Sequence, residues 1–212
     1  MTRLGWSLGR RRDPGCPSMT ISSRFRTARS AHPRALATAA FAPVVSSPVT
    51  LKLGLELPYT EMGDRAALIS LARRAEGLGY DAIWCSELYS FDSFTTLTQI
   101  ACETERIKLG TNIANIYART PAMLAGTAAS LDQLSGGRFI LGIGVSGPQV
   151  IEGWHGVPYD RPLKRTRETI EIVRQILQGD RLVHEGEVFH LTQGLKLLNK
   201  PLRPDLPIYV AS

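Results

Sequence analysis

The segment from Ser130 to Val150, Ser-Leu-Asp-Gln-Leu-Ser-Gly-Gly-Arg-Phe-Ile-Leu-Gly-Ile-Gly-Val-Ser-Gly-Pro-Gln-Val, constrains the fold of this chain more than any other. It reads as the end of a helix, a Gly136-Gly137 stop, a continuously apolar strand and a turn of small residues. A strand with no polar alternation is covered on both faces, as in a parallel sheet flanked by helices. The turn Gly144-Val145-Ser146-Gly147-Pro148-Gln149 would let backbone N–H groups approach a ligand, in the position where α/β proteins hold anionic cofactors. It lacks the G-x-G-x-x-G spacing of a dinucleotide fingerprint and the Gly-Lys-Ser/Thr of a Walker A loop.

The same alternation runs through the rest of the chain from residue 51. Strands are expected at Leu51–Leu57, Tyr80–Cys85, Ile107–Ile113, Arg138–Val145 and Pro207–Ala211. Between them the pattern predicts helices capped by Asp64, Asp92 and Thr120, the last with Pro121 in its first turn. Leu68, Leu71, Leu97 and Ile100 read as helix packing. A longer helix is expected over Pro162–Gln178, with Ile170, Ile172, Val173, Ile176 and Leu177 on its buried side. A β-hairpin is expected over Leu182–Leu191, turning at Glu185-Gly186. Repeated strand–helix units make either an open doubly wound sheet or a closed (β/α)8 barrel, and spacing alone leaves both open.

Charge divides the chain. Residues 1–50 hold eight arginines, no lysine and the single acid Asp13, or about +7; the whole chain is +6, so residues 51–212 carry about −1. The basic character therefore belongs to the first segment and does not mark a nucleic-acid-binding domain. Residues 1–48 are expected to be a disordered basic extension and 49–212 the folded domain. An Arg- and Ser-rich, acid-poor leader has the composition of a transit peptide or of a cationic arm. The abrupt start of the first strand favours a non-functional extension from an upstream start codon. No apolar stretch is long enough to span a membrane.

Cys16, Cys85 and Cys102 are odd in number and form no C-x-x-C pair, which fits a reduced, cytoplasmic protein. Cys85 and Cys102 are expected to be buried small hydrophobes. His184 and His190 have no nearby cysteine or acidic cluster in the sequence, so no metal site is expected.

Four blocks carry a resemblance. Thr120-Pro-Ala-Met-Leu-Ala, Leu131-Asp-Gln-Leu-Ser-Gly-Gly-Arg138, Leu141-Gly-Ile-Gly-Val-Ser-Gly-Pro-Gln-Val150 and Glu152-Gly-Trp-His-Gly-Val-Pro158 resemble the bacterial luciferase-like superfamily. Within it they look like the coenzyme F420 (deazaflavin)-dependent oxidoreductases related to methylenetetrahydromethanopterin reductase. The resemblance runs from about residue 51 to 212. It implies a TIM barrel with an insertion between the fourth and fifth strands, where the hairpin is expected. Such barrels take roughly 250 residues, and residues 51–212 number about 162. The expectation is a C-terminally truncated member: about five βα units with the hairpin, lacking strands six to eight.

In barrels the active site lies at the C-terminal ends of the strands. The resemblance places there Glu56 and Pro58, then Ser86, Glu87 and Tyr89, then Asn112, Ile113 and Asn115, and finally Ser146, Gly147, Pro148, Gln149 and Val150. It implies that the deazaflavin ring lies against the third strand end, with a non-prolyl cis peptide at Asn112–Ile113. It also implies that the Ser146–Val150 turn holds the cofactor's phosphate. Glu56 is the first candidate for handling a proton and Glu87 the second; relatives often follow that acid with His, where this chain has Leu88. Trp154 and His155 would line the substrate pocket. Arg119 would meet an anion or form an ion pair.

The function implied is hydride transfer between reduced coenzyme F420 and a small organic substrate. The alternatives are an FMN-dependent monooxygenase of the same superfamily, and a non-catalytic remnant or subunit that binds a homologue through open sheet edges. The expected partner is a small molecule, not nucleic acid or membrane, and a homodimer is the expected assembly.

Overall fold

The computed structural model describes residues 51–60, 63–89 and 91–211. The basic segment 1–48, with its expected disorder, lies outside the described residues.

Four strand–helix repeats and a fifth parallel strand are laid down in sequence order. Strand β1 (Gly54–Glu56) leads to helix α1 (Arg65–Gly77), β2 (Ala82–Cys85), α2 (Ser93–Glu103), β3 (Lys108–Thr111) and the short β4 (Ala114–Asn115). Then come α3 (Pro121–Leu134), β5 (Phe139–Gly144), α4 (Pro148–Gly153) and α5 (Pro162–Leu177), followed by a hairpin of β6 (Leu182–Glu185) and β7 (His190–Leu195), and finally β8 (Ile208–Val210). The main sheet is parallel throughout, with β1 beside β2, β2 beside β3, the β3–β4 strand beside β5, and β5 beside β8. A doubly wound sheet reverses its strand order at a switch point. This one never does, which is the progression of a TIM barrel.

The caps fall where the sequence puts them. Asp64 accepts from the N–H groups of Ala66 and Ala67, Asp92 from Thr95 and Thr120 from Met123. Each satisfies donors that the first helical turn leaves free. The apolar faces of α1, α2, α3 and α5 close over β2, β3 and β5, and every residue of β5 is buried. Ile172, Val173, Ile176 and Leu177 are buried as expected, while Ile170 is only partly so.

Four expectations need correction. The third strand is not continuous. Leu109 and Gly110 pair with Phe139 and Ile140, but Ala114 and Asn115 pair with Ile143 and Gly144. One extra residue is therefore taken up on the β3–β4 side, a β-bulge. The segment after β5 is not only a turn, because Pro148 starts helix α4. The hairpin's second strand runs on to Leu195. Cys102 is exposed on α2, whereas Cys85 is buried.

Two motif residues prove to be braces. Buried Asp132 takes a forked contact from Arg203, which also donates to the Phe139 carbonyl and so ties α3 and β5 to the segment before β8. Arg138 donates to the carbonyls of Ala101, Thr104, Ile107 and Ser135 and to the Thr104 hydroxyl. Its guanidinium thereby satisfies carbonyls at the C-terminal end of α2 and in the loop to β3.

Candidate active site at the strand ends

Glu56 ends β1, and both its carboxylate oxygens are engaged by neighbouring strand ends. Ser86 Oγ lies 2.5 Å from Oε1, and Asn112 Nδ2 donates to Oε2 at 2.9 Å. Ser86 Oγ also lies 2.9 Å from the Asn112 carbonyl oxygen. Three consecutive strands thus converge on one exposed carboxylate. The Asn112–Ile113 peptide is cis, at the bond the resemblance picked out.

Glu87 is committed differently. Its side chain, only 10% exposed, is ion-paired with Arg119 at 2.8 Å and accepts from the Asn115 N–H at 3.1 Å. Arg119 also pairs with Asp92 and lies 4.6 Å over the Phe94 ring. Burial opposes ionisation of Asp92, but hydrogen bonds from Thr95 and the Arg119 charge hold its carboxyl below the usual range. Glu87 therefore anchors β4, leaving Glu56 as the open carboxylate of the pair. Asn115 is also turned inward: it is buried, and its Oδ1 accepts from the Tyr117 N–H.

The glycines of the turn do other work than the sequence suggested. A Cβ on Gly144 would sit 2.9 Å from Ile113 Cγ1, so this glycine makes room for Ile113. The left-handed residue is Ser146, at φ 55°. That conformation is uncommon outside glycine and concentrates at functional sites. Gly147 opens α4 with no side-chain cap, and a Cβ there would meet no atom within 4 Å. Pro148 and Gln149 are exposed and Val150 half-buried.

A cavity of 290 Å³ opens beside the Glu56 network, lined by Trp84, Thr111, Asn112, Ile113, Gly142 and Tyr209 among others. Its size is near the lower bound of about 300 Å³ typical of small-molecule sites. Trp84 and Tyr209 make its aromatic floor, their ring centroids 5.8 Å apart. A second cavity of 280 Å³ brings Trp154 and His155 against Glu87, Leu88, Phe91 and Arg119. Trp154 is 65% exposed and stands 6.2 Å from the Tyr89 ring. A larger groove of 570 Å³ lies between α3 and residues 197–201, away from the strand ends and from every candidate residue.

Residues 49–212 match the family model described as luciferase-like monooxygenase. The chain belongs to this family. A Mycobacterium tuberculosis relative, provisionally named a coenzyme F420-dependent oxidoreductase, is 41% identical over 173 residues, covering 76% of this chain and 50% of the relative. Among solved structures, the coenzyme F420-dependent tetrahydromethanopterin reductase of Methanopyrus kandleri aligns with a TM-score of 0.65 and 30% identity, over 75% of this chain and 49% of that one. The monooxygenase RslO1 of Streptomyces bottropensis aligns with a TM-score of 0.67 and 26% identity, over 76% of this chain and 53% of that one. The chain spans about half the length of the curated relatives it matches. These likenesses place the four strand–helix repeats and the strand β8 as part of a luciferase-like TIM barrel.

Trp84, Tyr209 and Thr111 were not singled out from the sequence. A signal for Trp84 existed: Gly110 lies opposite it in register and Gly54 on the adjoining strand, and a Cβ at either would fall within 2.6 Å of the indole. Among the described residues no three metal-ligating side chains cluster. His184 lies 3.4 Å from Glu168 and His190 3.4 Å from Glu185, so each has an acidic neighbour that the sequence reading did not foresee. Among the described residues no helix is long and apolar enough to cross a membrane.

Proposed function

We propose that this chain binds coenzyme F420 at the C-terminal strand ends and takes part in hydride transfer between the reduced deazaflavin and a small organic substrate. The observation that carries the reading is the Glu56 carboxylate, held at both oxygens beside a ring-lined cavity. The naming of relatives for F420 chemistry supports the choice of cofactor. The uncapped start of α4, the open space at Gly147 and the Ser146 hydroxyl fit a phosphate-bearing group, with Gln149 and Val150 in the first turn of the helix.

When bound, a reduced deazaflavin would supply the hydride-donating carbon, and the protein supplies binding, orientation and proton handling. Asn112 and Ile113 form the wall against which a flat ring would rest, over Trp84 and Tyr209. Glu56 Oε1 is the atom at which a proton is held or released. Ser86 and Asn112 keep that carboxylate directed, which lowers the cost of orienting it during reaction. Glu87 and Arg119 fix the β4 end. Trp154 and His155, with Tyr89 beside them, present an aromatic surface to a substrate. A cytoplasmic location and a homodimeric assembly are proposed with it.

Titration of the full chain with oxidised F420, followed by deazaflavin fluorescence, tests this reading. Saturable micromolar binding with weaker binding of FMN supports it. Tighter FMN binding favours the monooxygenase alternative, supported by the likeness to RslO1. No binding of either favours a non-catalytic chain.

A further inference from the structure

The Ser86 hydroxyl stands between two oxygens, 2.5 Å from Glu56 Oε1 and 2.9 Å from the Asn112 carbonyl oxygen. A serine hydroxyl has one proton to donate and lone pairs with which to accept. When Glu56 is ionised, both oxygens facing Ser86 are acceptors, and one proton can serve only one of them. A bond to a charged acceptor is roughly twice as strong as a neutral one. The hydroxyl therefore turns to Glu56, and the Asn112 carbonyl goes without it.

Adding one proton at Glu56 Oε1 changes the pattern. Glu56 then donates to Ser86 Oγ, and Ser86, keeping its own proton, donates to the Asn112 carbonyl. Asn112 Nδ2 donates to Glu56 Oε2 in both states. We propose that Ser86 is a positioning residue that couples the protonation of Glu56 to the hydrogen bonding of the Asn112 carbonyl. The coupling rests on the reading of Glu56 as the proton-handling group and gives Ser86 a task beyond contact with the cofactor. Its consequence lies in specificity. Asn112 lines the cavity, and while Glu56 is ionised its carbonyl gains a lone pair, released by Ser86, for a donor group on the substrate.

The charged groups around this network do not supply the missing proton. Glu87, which follows β2, and Asp92, which caps α2, are both paired with Arg119. The Cys85 thiol is pushed up to about 12 by burial first and then by the charges of Glu56, Glu87 and Asp92, so it stays neutral. Asn112, from the neighbouring strand, carries no charge.

The test is a pH titration by NMR of the full chain carrying carbonyl-labelled Asn and amide-labelled Ile. The sequence has two Asn–Ile pairs, 112–113 and 115–116. The second is an internal control, because the Asn115 carbonyl accepts from the Ala118 N–H and not from Ser86. Side-chain carboxyl labelling follows Glu56 itself, assigned by its loss in Glu56→Gln. The Asn112 carbonyl resonance should move sigmoidally with the same midpoint as Glu56 and stay flat in Glu56→Gln. In Ser86→Ala, Glu56 should still titrate while the Asn112 carbonyl no longer follows; Ser86→Thr should restore the coupling. An Asn112 carbonyl that stays flat while wild-type Glu56 titrates overturns the proposal, as does one that still follows Glu56 in Ser86→Ala. If Ser86→Ala does not fold, the wild-type and Glu56→Gln titrations decide. No F420 is present, so a failure here is separate from a failure to bind cofactor.

Discussion

The Thr111 hydroxyl makes both hydrogen bonds that the backbone of Gly142 would otherwise exchange with a neighbouring strand. It donates to the Gly142 carbonyl at 2.7 Å and accepts from the Gly142 N–H at 2.9 Å, with Thr111 fully buried. The bulge between β3 and β4 breaks the ladder at this point, and the side chain repairs it. The repair needs close contact: a Cβ on Gly142 would fall 2.0 Å from the Thr111 carbonyl oxygen.

Thr111→Val keeps the shape and removes the hydroxyl, leaving two buried backbone groups unpaired. Such groups cost about 1–3 kcal/mol each. Denaturant unfolding should show Thr111→Val destabilised by about that amount or more and Thr111→Ser much closer to wild type. Gly142→Ala should be worse than either.

Arg138 is bonded only to neutral oxygens, four carbonyls and a hydroxyl. A lysine cannot reproduce its planar fork. Hydrogen bonds to charged groups are worth about 1.5–3 kcal/mol each. Arg138→Lys should lower stability by about 2 kcal/mol or more in equilibrium unfolding, although charge is conserved.

Glu168 and Glu76 brace loops from helix positions. Glu168 accepts from the N–H groups of Glu187, Val188 and Phe189 in the hairpin connection, and Glu76 from those of Glu105, Arg106 and Ile107. Burial opposes ionisation at both, but the backbone donors outweigh it and hold each carboxyl below the usual range. A depressed folded-state value gives stability that is present above the unfolded value, about 4.3 for Glu, and is lost as pH falls through the folded one. Glu168→Gln should therefore be less stable than wild type at neutral pH, by about 1–3 kcal/mol. The gap should narrow as pH drops below 4, measured by denaturant midpoints across pH.

Trp84 lies against two glycines, and a Cβ on Gly110 would be 2.2 Å from its Cζ3. Gly110→Ala must displace the indole from the cavity floor. Overpacking of this kind costs about 1–3 kcal/mol. The variant should show lower stability together with a changed tryptophan emission; an unchanged spectrum and midpoint would mean the floor yields freely.

Much of the fold was legible because each repeat carries its own local signals. Asp64, Asp92 and Thr120 announce helix starts, and the apolar run at 139–144 announces a buried strand. The choice between sheet and barrel was not legible from spacing, since it depends on which strands pair. The bulge was hidden for a related reason: Ile107–Ile113 looks like one β-rich run, and only the register against β5 reveals the extra residue. At the site, Glu56, Ser86 and Asn112 could be placed at neighbouring strand ends. Their mutual hydrogen bonds could not, because they join positions up to 56 residues apart. The commitment of Glu87 to Arg119 likewise depends on a residue 32 positions later. Asp132 and Arg138 were read as family motif, and their bracing contacts appear only once α2, β5 and the segment before β8 are brought together.

The most direct test of the account is to add F420, and FMN in parallel, to the full chain while following the Asn112–Ile113 and Asn115–Ile116 carbonyl–amide resonances. The account predicts a saturable shift of the Asn112–Ile113 resonance with F420, complete at lower concentration than any shift with FMN. An Asn112–Ile113 resonance that stays fixed while F420 saturates the protein, or that responds first to FMN, would contradict it.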